Sequence, residues 1–166
     1  MQRRALVSSL ATAVLLPGCG FHLRQPPNYA FKSIYLQIAP NSPLGAELRR
    51  YLKTSDQITV LTDGADRDKA DVILQLLQDQ RERVVLSYNS TGQVLGFQLR
   101  VRVRFSLFRP GGREIIEPTE LLLQQDQSYD ETLALAKEQE AQLIYRNLQS
   151  DAVQQIIRRL SVIRDI

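Results

Sequence analysis

One segment of this sequence constrains the fold more than any other. Between Leu95 and Leu107, an apolar side chain occupies every second position. The apolar positions hold Leu95, Phe97, Leu99, Val101, Val103, Phe105 and Leu107, and the positions between them include Gln98, Arg100, Arg102, Arg104 and Ser106. A period of two residues is typical of a β-strand that buries one face. The segment therefore predicts a long strand in a sheet with one apolar and one polar face.

Four other apolar runs predict the remaining strands of the sheet. We expect these strands at residues 31–38, 58–61, 71–86 and 115–127. Inside the run from 71 to 86, the six residues from Gln78 to Arg83 are polar. This interruption indicates a bulge or an exposed extension rather than two separate strands. The glycines of Pro110-Gly111-Gly112 predict the turn before the last strand.

Two segments have the four-residue apolar spacing of amphipathic helices. Pro43 suits the first turn of a short helix, whose apolar face holds Leu44, Leu48, Tyr51 and Leu52. A long helix is expected from about Glu131 to Val162, with Asp130 or Ser128 as its N-cap. Its apolar stripe is Ile144, Leu148, Ala152, Ile156 and Leu160, extended by Leu133, Ala141 and Ile163. Two helices cannot cover both faces of such a sheet. The predicted fold is therefore α+β, a two-layer sandwich in which a mixed, mostly antiparallel sheet has two helices on one face.

The first eighteen residues have the pattern of a signal peptide. A basic start at Arg3 and Arg4 precedes the mostly apolar residues 5–16, which are too few to span a bilayer. Residues 19–166 are then a single domain, in which 19–30 form an anchor and linker segment. Removing residues 1–18 leaves 19 of the 21 basic residues and all 18 acidic ones, so the mature chain is nearly neutral. Its charge therefore does not predict a nucleic-acid partner.

Cys19 is the only cysteine of the chain, so an intrachain disulfide is excluded. The sequence Leu16-Pro17-Gly18-Cys19 resembles a bacterial lipobox, although Pro17 replaces the usual small residue. In that motif the cysteine carries a diacylglycerol, and several acyl chains anchor a protein firmly to a membrane. We therefore expect lipidation at Cys19, and a free thiol is the alternative.

The residues after this cysteine resemble a known family. Cys19-Gly20-Phe21-His22-Leu23-Arg24 is similar to the start of the mature lipopolysaccharide-assembly lipoproteins of the LptE family. The resemblance continues through Gly92-Gln93, Pro110-Gly111, Leu135-Ala136-Lys137 and Ile157-Arg158-Arg159-Leu160. It covers about residues 19–164, but residues 41–83 agree only in pattern.

This resemblance implies a function without catalysis. Family members are lipid-anchored on the periplasmic side of the cell outer membrane. There they plug the LptD β-barrel, assist its assembly, bind lipopolysaccharide and help its transport to the surface. The resemblance also implies a lipopolysaccharide contact for Lys137, whereas Ser90-Thr91 stands where relatives carry a second basic residue. An ordinary solvated helix lysine is the alternative for Lys137.

The residues themselves offer no catalytic constellation, metal site or cofactor motif. Four aspartates, Asp63, Asp66, Asp68 and Asp71, share one loop, but their spacing does not fit a calcium loop. A solvated turn with Arg67 and Lys69 as counter-charges is the better interpretation. The competing functional hypothesis is a periplasm-facing lipoprotein that binds an apolar ligand under its helices. A small hydrolase is disfavoured by the residue inventory.

The polar face of the long strand carries an arginine stripe, which we define as Arg100, Arg102 and Arg104. A two-residue turn at Thr91-Gly92 would place Arg83 opposite Arg100 and Arg81 opposite Arg102. Like charges directly across two strands destabilise a sheet. A cluster of these five arginines therefore predicts an anionic partner, either lipid A phosphates or an acidic stripe inside the barrel. In the alternative, Glu114, Glu117 or Glu120 on the next strand neutralises the stripe.

Overall fold

The computed structural model describes residues 28–166, which form one mixed sheet of five strands with two α-helices. In chain order the elements are β1 (Ser33–Gln37), α1 (Pro43–Lys53), β2 (Thr59–Leu61), β3 (Val72–Tyr88), β4 (Val94–Phe108), β5 (Glu114–Ser128) and α2 (Ala134–Val162). The strand order is β2-β1-β3-β4-β5. β1 is parallel to β2 and β3, whereas β3, β4 and β5 are antiparallel neighbours. The signal peptide and the lipidation of Cys19 lie outside the described residues.

The apolar face of β4 lies beneath both helices, as its alternation predicts. Leu99, Val101, Val103, Phe105 and Leu107 are all buried. They share one core with Leu44, Leu48 and Leu52 of α1 and with the predicted stripe of α2 from Ile144 to Leu160. Arg100, Arg102 and Arg104 alternate with these residues and lie on the opposite face, which we call the open face. The predicted two-layer α+β architecture is confirmed.

The turn between β3 and β4 is longer than expected, and this changes the pairing of the two strands. Asn89 N–H donates to the carbonyl oxygen of Gln93 at 2.9 Å, so three residues, not two, form the loop. Gly92 has φ 85°, the left-handed conformation that such a three-residue loop requires. The predicted pairing is therefore wrong by one residue, because Arg83 lies opposite Leu99 and Arg81 lies opposite Val101.

A shift of one residue moves every side chain of a strand to the other face of the sheet. The shift places Arg81 and Arg83 on the helix-covered face, away from the arginine stripe. Arg100 faces Glu82 across the ladder, and Arg102 faces Gln80. The predicted cluster of five arginines is not formed.

The start of α2 and the interruption in β3 also follow from the local sequence. The pairing of β3 with β4 shifts between Leu76 and Gln78, so the expected bulge lies at the start of the polar interruption and β3 continues through it. Asp130 accepts from Thr132 N–H at 2.9 Å and caps a short 3-10 turn, and α2 follows from Ala134. Leu133, expected in the buried stripe, is exposed because it belongs to this turn.

The sheet has two chemically distinct ends. We call the β3–β4 hairpin from Val84 to Phe97 the tip. The opposite end, which we call the base, contains the β4–β5 turn at 109–113 and the end of α2. Since Ile34 of β1 pairs with Val72 at the start of β3, β1 begins at the base. Asn28, the first described residue, precedes β1 and therefore enters the sheet from the base.

Candidate functional site

Lys137 lies in the first turns of α2, beside the end of β5. Its Nζ is 2.9 Å from Glu140 Oε2 and 3.2 Å from Ser128 Oγ. Its side chain is only 18% exposed. The hydrogen bond from Lys137 lowers the pKa of Glu140, although partial desolvation opposes this shift. Lys137 is therefore a largely covered, ion-paired lysine and not a freely solvated one.

Arg83 connects the tip to α2. Its Nη1 lies 3.1 Å from Glu138 Oε2, and its guanidinium carbon is 3.8 Å from the centroid of the Phe97 ring. Phe97 in turn meets Tyr129 edge-on, with ring centroids 5.0 Å apart. A guanidinium over an aromatic face is an attractive arrangement. Arg83 therefore holds β3, β4 and the chain after β5 against α2.

Arg81 makes a second connection to α2. Its contacts on the helix lie further from the tip than Glu138, the partner of Arg83. Its Nη2 donates to Gln149 Oε1 at 2.8 Å, and its guanidinium lies over the Tyr145 ring at 5.5 Å. The hydroxyl of Tyr145 donates to the backbone carbonyl oxygen of Glu82 at 2.8 Å. Burial raises the pKa of this hydroxyl above its ordinary value. Arg81 is thus engaged with the helix layer.

One member of the arginine stripe on the open face, Arg102, is ion-paired. Arg102 donates to Glu82 Oε1 at 3.0 Å and also pairs with Glu120 on β5. The hydrogen bond from Arg102 lowers the pKa of Glu82, and Glu82 raises that of Arg102. Arg100 donates to Gln98 Oε1 at 2.8 Å. Of the β5 acids proposed to balance the stripe, Glu120 pairs with Arg102, so that alternative is met for one of the three arginines.

Arg104 is the exception within the stripe. It is exposed, and it lies opposite Gln78 on β3 and Glu120 on β5. Within the described part of the chain it forms no hydrogen bond or ion pair, since Glu120 is engaged by Arg102. Arg104 is thus the member of the stripe whose guanidinium is available to an outside anion.

The tip carries a groove that the sequence reasoning missed. It has a volume of about 800 Å³ and lies between the hairpin and the connection from β5 to α2. Its apolar walls are Val94, Leu95, Phe97 and Tyr129. Its polar rim consists of Asn89, Gln93, Asp130, Glu131 and Thr132, so two acidic residues lie at its edge. From Val84 to Leu99 the sequence contains no charged residue. This uncharged stretch was the signal that could have predicted the hairpin wall of the groove, but not the opposite wall with Asp130 and Glu131.

The aspartate loop forms the solvated turn that was expected. Asp66 pairs with Lys69 at 2.7 Å, and Asp68 pairs with Arg67 at 3.1 Å. Asp71 accepts from the backbone N–H groups of Lys32 and Ser33. Between residues 28 and 166, no group of three or more His, Cys, Asp or Glu side chains is placed to hold a metal ion. In the same range, no helix combines the length and apolar character needed to cross a membrane.

Known proteins resemble this chain over most of its length. A family model described as LptE, lipopolysaccharide-assembly, matches residues 31–160. An LPS-assembly lipoprotein LptE of Photorhabdus laumondii is 31% identical over 99% of this chain and 90% of its own length. The corresponding protein of Yersinia enterocolitica is 29% identical over 98% of this chain and 78% of its own length.

Solved structures agree with the fold. The solution structure of lipoprotein B from Nitrosomonas europaea is 29% identical and has a TM-score of 0.72. It covers 86% of this chain and 90% of its own. Rare lipoprotein B from Shewanella oneidensis, at 24% identity, has a TM-score of 0.64 and covers 77% of this chain and 92% of its own. This second likeness concerns the fold alone.

Proposed function

This chain belongs to the LptE family of lipopolysaccharide-assembly lipoproteins, and from that membership we propose that it is a non-catalytic plug and assembly factor of the LptD β-barrel in the outer membrane. It is anchored on the periplasmic side through a lipid on Cys19. It binds lipopolysaccharide and helps to deliver it to the cell surface. The observation that carries this proposal is the family match over residues 31–160.

The barrel partner is tested by co-purification from outer-membrane extracts. The tagged full-length chain is expected to bring down a β-barrel of far larger mass. Loss of Arg104, the exposed stripe arginine without an ion pair among residues 28–166, is expected to weaken that association most at low ionic strength, where exposed charges act most strongly. Extracts in which the tagged chain is abundant but carries no barrel would overturn the proposal.

The lipid anchor is tested through Cys19. The variant Cys19→Ala is expected to leave a soluble or uncleaved protein, because the thiol that receives the lipid is missing. The intact mass of the mature wild-type protein is expected to show an acylated N-terminus that begins at residue 19. An unmodified N-terminus at any other residue would contradict the anchor.

Lys137 is the proposed contact for a lipopolysaccharide phosphate. An ammonium group binds phosphate as a point charge through charge-assisted hydrogen bonds. To do so here, Lys137 exchanges its bond with Glu140 for one with the ligand. The variant Lys137→Gln is expected to bind lipopolysaccharide severalfold more weakly. Lys53, at the base end of α1, provides the matched control in Lys53→Gln.

The competing hypothesis places an apolar ligand beneath the helices. That space is occupied in the described structure by side chains of the core. Leu48, Val103, Phe105, Ile156 and Leu160 are all completely shielded from solvent there. The geometry therefore favours the plug and assembly function over a ligand carrier of this type.

A further inference from the structure

The base of the molecule carries a group of exposed arginines, which we call the basic end. Arg158 and Arg159 lie near the end of α2, Arg164 follows that helix, and Arg113 lies in the β4–β5 turn. All four side chains are exposed. None of the four forms an ion pair with an acid among residues 28–166. Their guanidinium groups are therefore available to an anion outside this chain.

The fold brings the basic end together on the helix side of the base. Arg158 and Arg159 line a hollow of about 430 Å³ together with Ile116, which lies three residues after Arg113. The guanidinium carbon of Arg159 is 5.9 Å from the centroid of the Phe105 ring. Residues of α2 and of the β4–β5 turn thus contribute to one surface.

The residues after α2 are also held at the base. Ile163 and Ile166 pack against the core, so Arg164 between them is fixed beside the end of the helix. Basic residues in the last turn of a helix interact favourably with its carbonyl ends. That role does not account for Arg164, which lies outside the helix, or for Arg113, which lies in a turn. The basic end is therefore more than a set of helix-terminal charges.

Acidic residues of the base are concentrated on its other side. Glu114 pairs with Phe108, whose side chain lies on the open face. The aspartate loop lies on the same side, since its Arg67 is 5.9 Å from the centroid of the Phe108 ring. On the helix side, Asp165 accompanies Arg164. The base is therefore polarised, with the basic end on the helix side and the aspartate loop on the open side.

The basic end lies within reach of the proposed anchor. Asn28 is nine residues after Cys19, and nine residues span at most about 32 Å. β1, which the chain enters after Asn28, is three strand spacings from β5, or about 14 Å. A lipid on Cys19 therefore keeps the base, and not the tip, close to the surface of the membrane that holds it.

Phospholipid headgroups supply the anion that this position calls for. The negative potential of an anionic bilayer attracts basic residues that lie within about a Debye length of its surface. Guanidinium groups also bind phosphate oxygens through paired, charge-assisted hydrogen bonds. We propose that the basic end binds anionic phospholipid headgroups at the surface of the membrane that holds the anchor. This inference rests on the proposed anchor at Cys19 and adds a second, electrostatic contact with the membrane, which leaves the tip and the open face free for the barrel.

The test measures binding of the mature chain to lipid vesicles by flotation at low ionic strength. The variant Cys19→Ala removes the site of acylation, so that the remaining affinity reports the protein surface alone. Vesicles that contain phosphatidylglycerol are expected to bind this variant at least about thirtyfold more tightly than vesicles of phosphatidylcholine, since each arginine near the surface contributes about fivefold. In the same background, Arg158→Gln is expected to lose about fivefold for the anionic vesicles, and Arg158→Gln/Arg159→Gln more than about tenfold. Neither change is expected to affect binding to the neutral vesicles.

The matched control is Arg146→Gln, on the same helix. Arg146 is also exposed and has no ion pair among residues 28–166, but it lies twelve residues, or about 18 Å, nearer the start of α2 than Arg158. It is expected to leave binding to both kinds of vesicle unchanged. Should the loss of Arg159 beside Phe105 lower stability in thermal unfolding, Arg164→Gln changes the basic end outside the helix.

The outcomes separate the lipid contact from the anchor. Equal binding of the Cys19→Ala chain to anionic and neutral vesicles, or equal effects of Arg158→Gln and Arg146→Gln, would overturn the lipid contact and leave an acidic protein surface as the partner. A preference for anionic vesicles that persists at high salt would also overturn it, because exposed charges are screened there. An unmodified N-terminus in the intact mass of the wild-type protein would instead overturn the proposed anchor, which the vesicle test does not use.

Discussion

The two ends of the β3–β4 hairpin share the same strands but have opposite environments. Near the base, Phe105 and Leu107 are fully buried beneath the helices, whereas Leu95 near the tip is half exposed. Glu138, in the second turn of α2, lies against Arg83, and β3 continues for five more residues beyond that contact. An alternating pattern therefore decides which side chains share a face, and the starting point of a neighbouring helix decides how much of that face is covered.

The turns at the two ends of the sheet also differ in the charge of the residues that close them. Asn89 and Gln93 close the turn at the tip through a backbone hydrogen bond of 2.9 Å, and Arg109 and Arg113 close the turn at the base through one of equal length. At the tip, the side-chain amide of Asn89 also donates a hydrogen bond to Gln93 Oε1 at 2.8 Å. Two three-residue turns closed by the same backbone hydrogen bond thus carry two arginines at the base and two uncharged amides at the tip.

The sharpest test of this comparison replaces one phenylalanine in each half of β4. Phe105→Ala is expected to lower the free energy of unfolding by about 3–5 kcal/mol, because it leaves a cavity in a fully packed core. Phe97→Ala, at a partly exposed position, is expected to cost about 1–2 kcal/mol. Urea denaturation followed by circular dichroism measures both. Equal losses would show that the tip is packed as firmly as the base.

Replacing a turn glycine by alanine is expected to lower the free energy of unfolding by an intermediate amount. Gly92→Ala and Gly111→Ala place a Cβ at positive φ, which costs about 1–2 kcal/mol at either end of the sheet. Neither new methyl group meets a neighbouring atom, so the cost comes from the backbone alone. Gly64→Ala, at an equally open site without positive φ, is the control and is expected to be nearly neutral. Thermal unfolding would expose any difference between the two turns.

Arg83 tests how firmly the tip is attached to α2. Arg83→Leu is expected to lower the free energy of unfolding by about 1 kcal/mol, since it removes a partly exposed ion pair and the stack on Phe97. Arg83→Lys retains the charge near Glu138 but not the planar guanidinium, so it is expected to recover only part of that loss. A double-mutant cycle with Glu138→Gln separates the two contributions. Full recovery in Arg83→Lys would show that stacking contributes nothing.

A substitution on the open face is expected to have the smallest effect on the free energy of unfolding, and this effect depends on pH. Because Arg102 lowers the pKa of Glu82, the charged pair stabilises the fold above the ordinary carboxyl pKa of about 4.3. That stabilisation is lost as the pH falls through the lower pKa of the folded state. The difference in stability between the wild type and Glu82→Gln is therefore expected to be constant at neutral pH and to vanish in acid. A difference that grows on acidification would contradict the assigned direction.

How far the sequence could predict this structure depends on whether the determining signal is local. The alternation of β4 predicted the buried set from Leu99 to Leu107, and Asp130 was recognised as a cap from its position before an apolar run. The faces of Arg81 and Arg83 were predicted wrongly because they depend on one extra residue in a distant turn. Turn length is weakly encoded here, since Ser90-Thr91-Gly92 fits a two-residue or a three-residue loop.

The candidate site was harder to predict than the fold. Lys137 was identified through resemblance, but its bond to Glu140 and its limited exposure depend on how α2 meets the end of β5. The groove depends on Phe97 and Tyr129, which are 32 positions apart in the sequence and meet only in the folded sheet. Pairwise contacts over such distances leave no periodic signal in a single sequence.

The length of β3 determines how far the sheet extends from the base to the tip. Its 17 residues extend for roughly 55 Å at about 3.3 Å per residue. A lipid bilayer with its headgroups is about 40–45 Å thick. The described chain enters the sheet at the base. The distance along β3 from this end to the tip is greater than the thickness of a membrane. The sheet is therefore longer than a bilayer is thick.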